Sequence, residues 1–313
     1  MLSRQLITNS LITKSILFRS FSTANRVAYR PRRSVLYMPG SNQRALEKSK
    51  TLNADGYIFD LEDACAPSKK VDARHLVCQK VKEGGFGFRE LIIRCNGLDT
   101  KWGEEDIREA SLSGADAIAL PKVESYDTID EVVNIMDKVG APKTMGIWSL
   151  IETPRGILNA ENICSHPRNT VIVMGTSDLS KDLCLENDPS RYNMVYSLQK
   201  CIVAAKAYRK CILDGVYLDL SDSEGFEKQC IQGKSFGFDG KTLIHPKTIE
   251  ACNKVFTPTP EQVDHSRKII DAFEQANKEG KGVVVVDGKL IENLHIEKAK
   301  MILDIHNSIS TRN

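Results

Sequence analysis

Acid is missing from the start of this chain. The first 46 of its 313 residues contain no Asp or Glu, yet they hold Arg4, Lys14, Arg19, Arg26, Arg30, Arg32, Arg33 and Arg44 among many Ser and Thr. Leu6, Ile7, Leu11, Ile12, Ile16, Leu17 and Phe18 can share one helical face. An acid-free, Arg-rich, amphipathic start reads as a mitochondrial transit peptide, here residues 1–29, and places the mature protein in the matrix. The nine cysteines are odd in number and form no CxxC pair, which excludes a disulfide framework and a zinc ribbon. They fit small buried apolar residues of a reducing compartment. No run of 18 apolar residues occurs, so no spanning helix and no membrane partner is expected. The body of the chain has no basic block and the formal charge is only +2, which argues against nucleic acid.

What remains is an ordinary globular composition. Hydrophobic residues make up 41% and charged residues 27%, enough to bury a large core without staples. Removing the leader leaves about 285 residues, which suits one large barrel or two smaller domains. Short runs dense in Val, Ile and Leu predict strands over 35–38, 56–61, 90–95, 115–120, 144–150, 170–174, 215–218 and 241–244. They do not alternate polar with apolar, the pattern of strands buried on both faces of a parallel sheet. Helical periodicity lies between them, as at 43–52, 69–81, 104–112, 126–138 and 189–211. Eight alternating units predict an α/β fold, a (β/α)8 TIM barrel over 30–256, with a doubly wound sheet as runner-up. Thr257-Pro-Thr-Pro260 marks a step, and 257–313 reads as a small C-terminal arm or lid: helix, hairpin at Asp287-Gly288, helix.

The strand ends carry the chemistry. Asp60, Glu62 and Asp63, then Glu152, then Asp178 each follow an apolar run beside Gly, Pro or Ser. The other predicted ends bring Arg94 and Asn96, Lys122, Asp219 and Asp222, and His245. In a barrel the carboxyl ends of the strands build the active site, so these acids would ring one mouth. Oxygen ligands of that kind suit a hard divalent cation and a small anionic substrate.

Seven motifs occur in order: Tyr37-Met-Pro-Gly-Ser41, Phe59-Asp-Leu-Glu-Asp63, Ile93-Arg-Cys-Asn96, Leu120-Pro-Lys-Val-Glu124, Ile151-Glu-Thr-Pro154, Gly175-Thr-Ser-Asp-Leu179 and Gly240-Lys-Thr-Leu-Ile-His-Pro246. Together they resemble the citrate lyase β-subunit-like group of the HpcH/HpaI aldolase superfamily, and within it the mitochondrial citramalyl-CoA lyases. The resemblance runs from about Arg32 to Ser308. It implies a homotrimeric, Mg2+-dependent lyase that splits (3S)-citramalyl-CoA into acetyl-CoA and pyruvate by retro-Claisen cleavage. The alternatives are a malyl-CoA or β-methylmalyl-CoA lyase with malate synthase-like activity, or a catalytically weakened subunit that binds CoA esters. The partners would then be a CoA thioester and a small keto acid. The resemblance makes Glu152 and Asp178 the metal ligands and Arg94 the cation that meets the keto acid. It sets Tyr37, Arg44, Lys48, Ile244, His245 and Leu290 against the CoA substrate. Glu62 and Asp63 could hold metal-bound water from the second rank.

One position departs from the pattern. The family places a catalytic Asp in the C-terminal hairpin, before a Pro; here the text is Leu290-Ile-Glu-Asn-Leu294. Glu292 stands in the Asp position with one more methylene, and a misplacement of about 1 Å can cost on the order of 100-fold in rate. Other readings stay open beside these. Asp60, Glu62 and Asp63 could cap the following helix and neutralise Lys69 and Lys70, and Asp178 could cap its own helix. Arg94 could be a mouth ion pair, Lys122 a partner of Glu124, and His245 a structural strand end. Glu292 could be plain solvated surface.

Overall fold

A computed structural model describes residues 30–280 and 283–312; the expected leader lies outside them. Eight parallel strands close into a barrel: β1 Ser34–Pro39, β2 Gly56–Asp60, β3 Glu90–Arg94, β4 Ala117–Leu120, β5 Gly146–Ile151, β6 Asn169–Met174, β7 Cys211–Asp214 and β8 Gly240–Leu243. The ring shuts where β8 pairs with β1, Val35 opposite Thr242. Around it run α1 Gln43–Ser49, α2 Lys70–Glu83, α3 Gly103–Ser111, α4 Tyr126–Lys138, α5 Pro154–Leu158, α6 Ala160–Ser165, α7 Thr176–Asp182, α8 Val195–Ala207, α9 Ser223–Phe236 and α10 Ile249–Phe256.

The all-apolar strands are buried on both faces, as their composition requires. Every residue of β2, β3 and β5 is buried. One face packs on the helices, as Phe59, Ile93 and Ile172 do. The other fills the barrel, with Val35, Ile58, Ile92, Trp148, Val171 and Leu213 in one interior layer. Among the described residues no helix is long and apolar enough to cross a membrane.

One strand differs from expectation. The seventh is Cys211–Asp214, and the run 215–218 is the loop beyond it. Asp219 and Asp222 are therefore not a strand-end pair. Asp219 accepts hydrogen bonds from Ser221, and Asp222 caps α9 by accepting from the Gly225 N–H at 2.8 Å. The acid of that strand is Asp214, which faces outward into a fully buried ion pair with Lys241 at 3.1 Å and Arg191 at 2.7 Å.

The C-terminal arm consists of α11 Pro260–Lys278, β9 Val284–Val286, β10 Lys289–Ile291 and α12 Asn293–Ser310. Thr259 starts α11 with a reciprocal capping box with Gln262. The arm has its own small core of Ile269, Val284, Val286, Ile296 and Ala299. Its two helices pack on each other and on β9 rather than along the barrel. Both of its ends are tied to the foot of the barrel, where the strands begin. Arg33 donates to Thr257 just before α11, and Arg312, just after α12, pairs with Asp55 at 2.7 Å.

Candidate active site

Strand alternation lets the interior be read residue by residue. Continuing from the apolar layer towards the carboxyl ends, the inward positions become Tyr37 on β1, Asp60 on β2, Arg94 on β3 and Glu152 beyond β5. With Asp63, Gly175, Asp178, Leu218, Thr242 and Ile244 they line a cavity of about 360 Å³ at the mouth. The barrel thus brings together Glu152, Asp178, Arg94, Tyr37, Asp63 and Ile244 from six separate stretches of sequence.

Arg94 is the hub. Its guanidinium forks onto Asp60 with two bonds of 2.6 Å, and its Nη1 lies 2.6 Å from Glu62 and 3.3 Å from Asp63. Its charge sits 5.0 Å from the centre of the Tyr37 ring. Asp60 also accepts the backbone N–H groups of Glu62 and Ala64, each at 2.9 Å. These acids therefore do not cap α2, whose N-terminal residue has no side-chain cap. Nor do they neutralise Lys70, which donates instead to the carbonyls of Leu61 and Glu62. Glu62 and Asp63 both turn to Arg94, Glu62 from a half-buried position and Asp63 from an exposed one. Asp60 is the residue that fixes Arg94. The signal for it was in the register: Asp60 and Arg94 are direct partners on neighbouring strands.

Glu152 is 2% exposed and its Oε1 accepts the Lys122 N–H at 2.8 Å. Lys122 takes a left-handed backbone, φ 49°, to present that N–H. On the other side the carboxylate fills the space a side chain at residue 175 would need. A Cβ on Gly175 would come within 2.3 Å of Glu152 Oε2. Thr153, not Glu152, caps the short α5. Asp178 sits half-buried in the first turn of α7, where the helix dipole favours an acid. Glu124 is occupied by Thr153 and Arg155, so Lys122 faces the mouth acids rather than its sequence neighbour.

The mouth is electrostatically uncompensated. Burial, and then the nearby Glu62, pushes Glu152 up to about 8. Burial likewise pushes Glu62 up to about 7, against the pull of Arg94. Glu62 Oε2 is buried and, though close to Arg94, makes no hydrogen bond. Five carboxylates share two cations here, and a further hard cation would relieve them. Among the described residues no three His, Cys, Asp or Glu side chains group tightly enough to hold an ion alone. Glu152 and Asp178 line the same cavity, and two carboxylates on one hard cation would leave its remaining positions to water and substrate.

Other expected residues lie outside this cavity. Arg44 and Lys48 are exposed on α1, just past the mouth end of β1, with no ion-pair partner among the described residues. The His245 ring accepts the Lys247 N–H at 3.2 Å and caps a short helical turn. Leu290 and Glu292 are exposed on the arm, and the chain does not bring them to its own cavity, because the arm is anchored at the opposite end of the barrel. Glu292 instead stands at the start of α12, its backbone N–H donating to His295 Nδ1 at 3.0 Å.

Comparison with known proteins agrees with this architecture. The HpcH/HpaI aldolase/citrate lyase profile matches residues 33–246. A (3S)-malyl-CoA thioesterase of Cereibacter sphaeroides strain KD131 is 45% identical over 273 residues, covering 87% of this chain and 94% of the relative. The citrate lyase β subunit of Escherichia coli K12 is 33% identical over 280 residues, 88% and 93% of the two chains. A crystal structure of CitE from Mycobacterium tuberculosis in complex with magnesium and pyruvate superposes with a TM-score of 0.62 at 25% identity, over 72% of this chain and 91% of that one. The chain belongs to the HpcH/HpaI aldolase/citrate lyase family.

Proposed function

We propose that this chain is a Mg2+-dependent lyase of CoA thioesters that cleaves (3S)-citramalyl-CoA to acetyl-CoA and pyruvate. The observation that carries the reading is the single mouth cavity in which Glu152 and Asp178 face the Arg94 cluster. In this reading residues 1–29 direct the protein to the mitochondrial matrix, 30–256 form the catalytic barrel and 257–313 form the arm.

Bound through Glu152 and Asp178, Mg2+ would supply Lewis acidity and a template for the keto acid. The residues of the chain account for the rest. Arg94, held rigid by Asp60 and the Tyr37 ring, offers a fixed cation to the oxygen that gains charge. A cavity of about 360 Å³ takes the acyl group and leaves the nucleotide of CoA outside. There Arg44 and Lys48, exposed on α1 and without an ion-pair partner among the described residues, stand four residues apart, ready for phosphates. Cleavage needs a base to take the proton of the substrate hydroxyl; the C–C electron pair then passes to the thioester as an enolate, which an acid protonates to acetyl-CoA. Glu292 serves this role from the arm of a neighbouring copy, in a trimer. Support comes from the arm's anchorage at the foot of its own barrel and from Val283, Val285, Leu290 and Leu294, all more than half exposed around it.

A second reading is favoured by the 45% identity to a malyl-CoA thioesterase: water attacks the thioester and free CoA leaves. Purified protein incubated with citramalyl-CoA and malyl-CoA, with Mg2+ or with EDTA, separates the two. Acetyl-CoA and pyruvate formed only with Mg2+ support the lyase. Release of free thiol without acetyl-CoA selects the thioesterase. Unchanged turnover in Glu292→Ala would remove that residue from the chemistry.

A further inference from the structure

The chain buries a lysine that the mouth chemistry does not use. Lys70 opens α2 on the outer side of the barrel and is 7% exposed. Its ammonium has three N–H donors, and all are taken: Leu61 O at 2.9 Å, Glu62 O at 2.8 Å and Asn96 Oδ1 at 2.7 Å. It also sits 5.2 Å from the centre of the Trp102 ring. Among the described residues no carboxylate pairs with it directly. Burying a charge to satisfy two backbone carbonyls is expensive, so the site demands that those carbonyls stay where they are.

The bracket extends outward. Asn96 Nδ2 donates to Asp106 Oδ2 at 2.6 Å and to Leu61 O at 3.0 Å, while Arg74 donates to Asp106 Oδ1 at 3.0 Å. Asn96 and Asp106 are 2% and 0% exposed, so the network is sealed and rests on α3. The loop it grips carries Glu62 and Asp63 to Arg94 Nη1. From the inside the same loop is held by Asp60, which accepts from Glu62 and Ala64. The loop is therefore clamped between an interior acid and an exterior lysine, and Arg94 shares the interior acid.

We propose that Lys70 is a positioning residue for the mouth: its ammonium sets the loop of residues 61–64, and through it the orientation of Arg94 towards the anionic substrate. The inference rests on the proposed reaction for its catalytic half and on geometry alone for its structural half. Two measurements keep these apart. In Lys70→Met, hydrogen exchange at the backbone amides of Glu62 and Ala64 rises at least about tenfold, because the outer clamp is gone while Asp60 remains. With citramalyl-CoA, kcat falls on the order of tenfold or more while KM stays within about threefold, as expected for misplacement rather than lost contact. Lys70→Arg, which keeps donors for both carbonyls, recovers part of each. Should Lys70→Met fail to fold, Asn96→Ala removes one acceptor and gives the same pattern at smaller size. Unchanged amide exchange in Lys70→Met overturns the clamp, and raised exchange with unchanged kcat overturns the link to Arg94. If the wild-type protein cleaves neither thioester, the exchange result still decides the clamp and only the reaction is rejected.

Discussion

The two ends of the barrel use charge in opposite ways. At the foot, Arg32 forks onto Glu90 at 2.6 and 2.9 Å, Arg33 and Arg312 share Asp55, and Arg30 pairs with Asp116. Four guanidinium groups meet three carboxylates, and every acid is matched. At the mouth, five carboxylates meet one arginine and one lysine, and Glu62 and Glu152 are pushed to about 7 and about 8. Matched charge closes a surface; mismatched, desolvated charge is costly unless a ligand completes it. The foot is built to hold the fold and the mouth to take something in.

Mutations at equivalent depth should break this symmetry. Glu152→Gln keeps an oxygen for the Lys122 N–H and removes a charge that burial disfavours. The expected result is a Mg2+-dependent kcat/KM lowered at least about 100-fold, since even outer-shell partners of a metal cost 10–100-fold. The Tm of the metal-stripped protein should stay level or rise. Asp55→Ala at the foot should do the reverse. It strands Arg33 and Arg312, and breaking a buried pair costs about 3–5 kcal/mol. Denaturant unfolding should show that loss while the folded fraction keeps its turnover to within the few-fold that freeing Arg312 would cost. If Asp55→Ala spares stability, or if Glu152→Gln spares activity, the division of labour between the ends is wrong.

Metal removal sharpens the same contrast. Carboxyl pKa values raised from 4.5 to about 7 and about 8 mean that the folded, metal-free chain keeps protons which the unfolded chain has already released. Below pH 4.5 both states are protonated and nothing is at stake. As pH climbs through the window from about 4.5 to 8, the folded state binds more protons than the unfolded one and stability falls. The Tm of protein stripped with EDTA should therefore drop between pH 6 and 8.5. Mg2+ should restore more of it at pH 8.5 than at pH 6. Equal rescue at the two pH values would show that the ion binds away from these acids.

Much of this layout was legible because parallel strands announce themselves by being apolar on both faces. Seven runs fell on strands for that reason. The seventh strand was misplaced because 211–214 and 215–218 are two adjacent apolar stretches, and composition does not choose between them. The choice is made by long-range partners: Val171 opposite Cys211 in the sheet, and Asp214 against Lys241 and Arg191 behind it. The mouth acids were visible as strand ends, but not which of them would be spent on Arg94. The open alternative that the acids neutralise Lys70 fails because sequence separation says nothing about which way a carbonyl points, and Lys70 donates to the carbonyls of Leu61 and Glu62. Glu292 was visible as a departure from the family pattern, but it stands exposed on the arm and does not line the cavity.

That separation gives the smallest and most selective effect. Arg312 holds the last turn of α12 to the foot through Asp55 at 2.7 Å and lies 4.5 Å from the Phe88 ring centre. Asp55 keeps its fork with Arg33 when Arg312 is lost, so Arg312→Ala leaves no acid unpaired. The stability cost should be smaller than that of Asp55→Ala, which strands two guanidinium groups at once. The arm, some 28 Å of α11 returning as α12, would then pivot on the residues around Thr257 alone. If Glu292 serves a neighbouring mouth, a loosened arm lowers kcat a few-fold with Mg2+ affinity unchanged, and adding Glu292→Ala to Arg312→Ala costs no more than Glu292→Ala by itself. Additive losses would instead separate the tether from the acid, and the arm would be a structural appendage of the foot rather than an extension of the mouth.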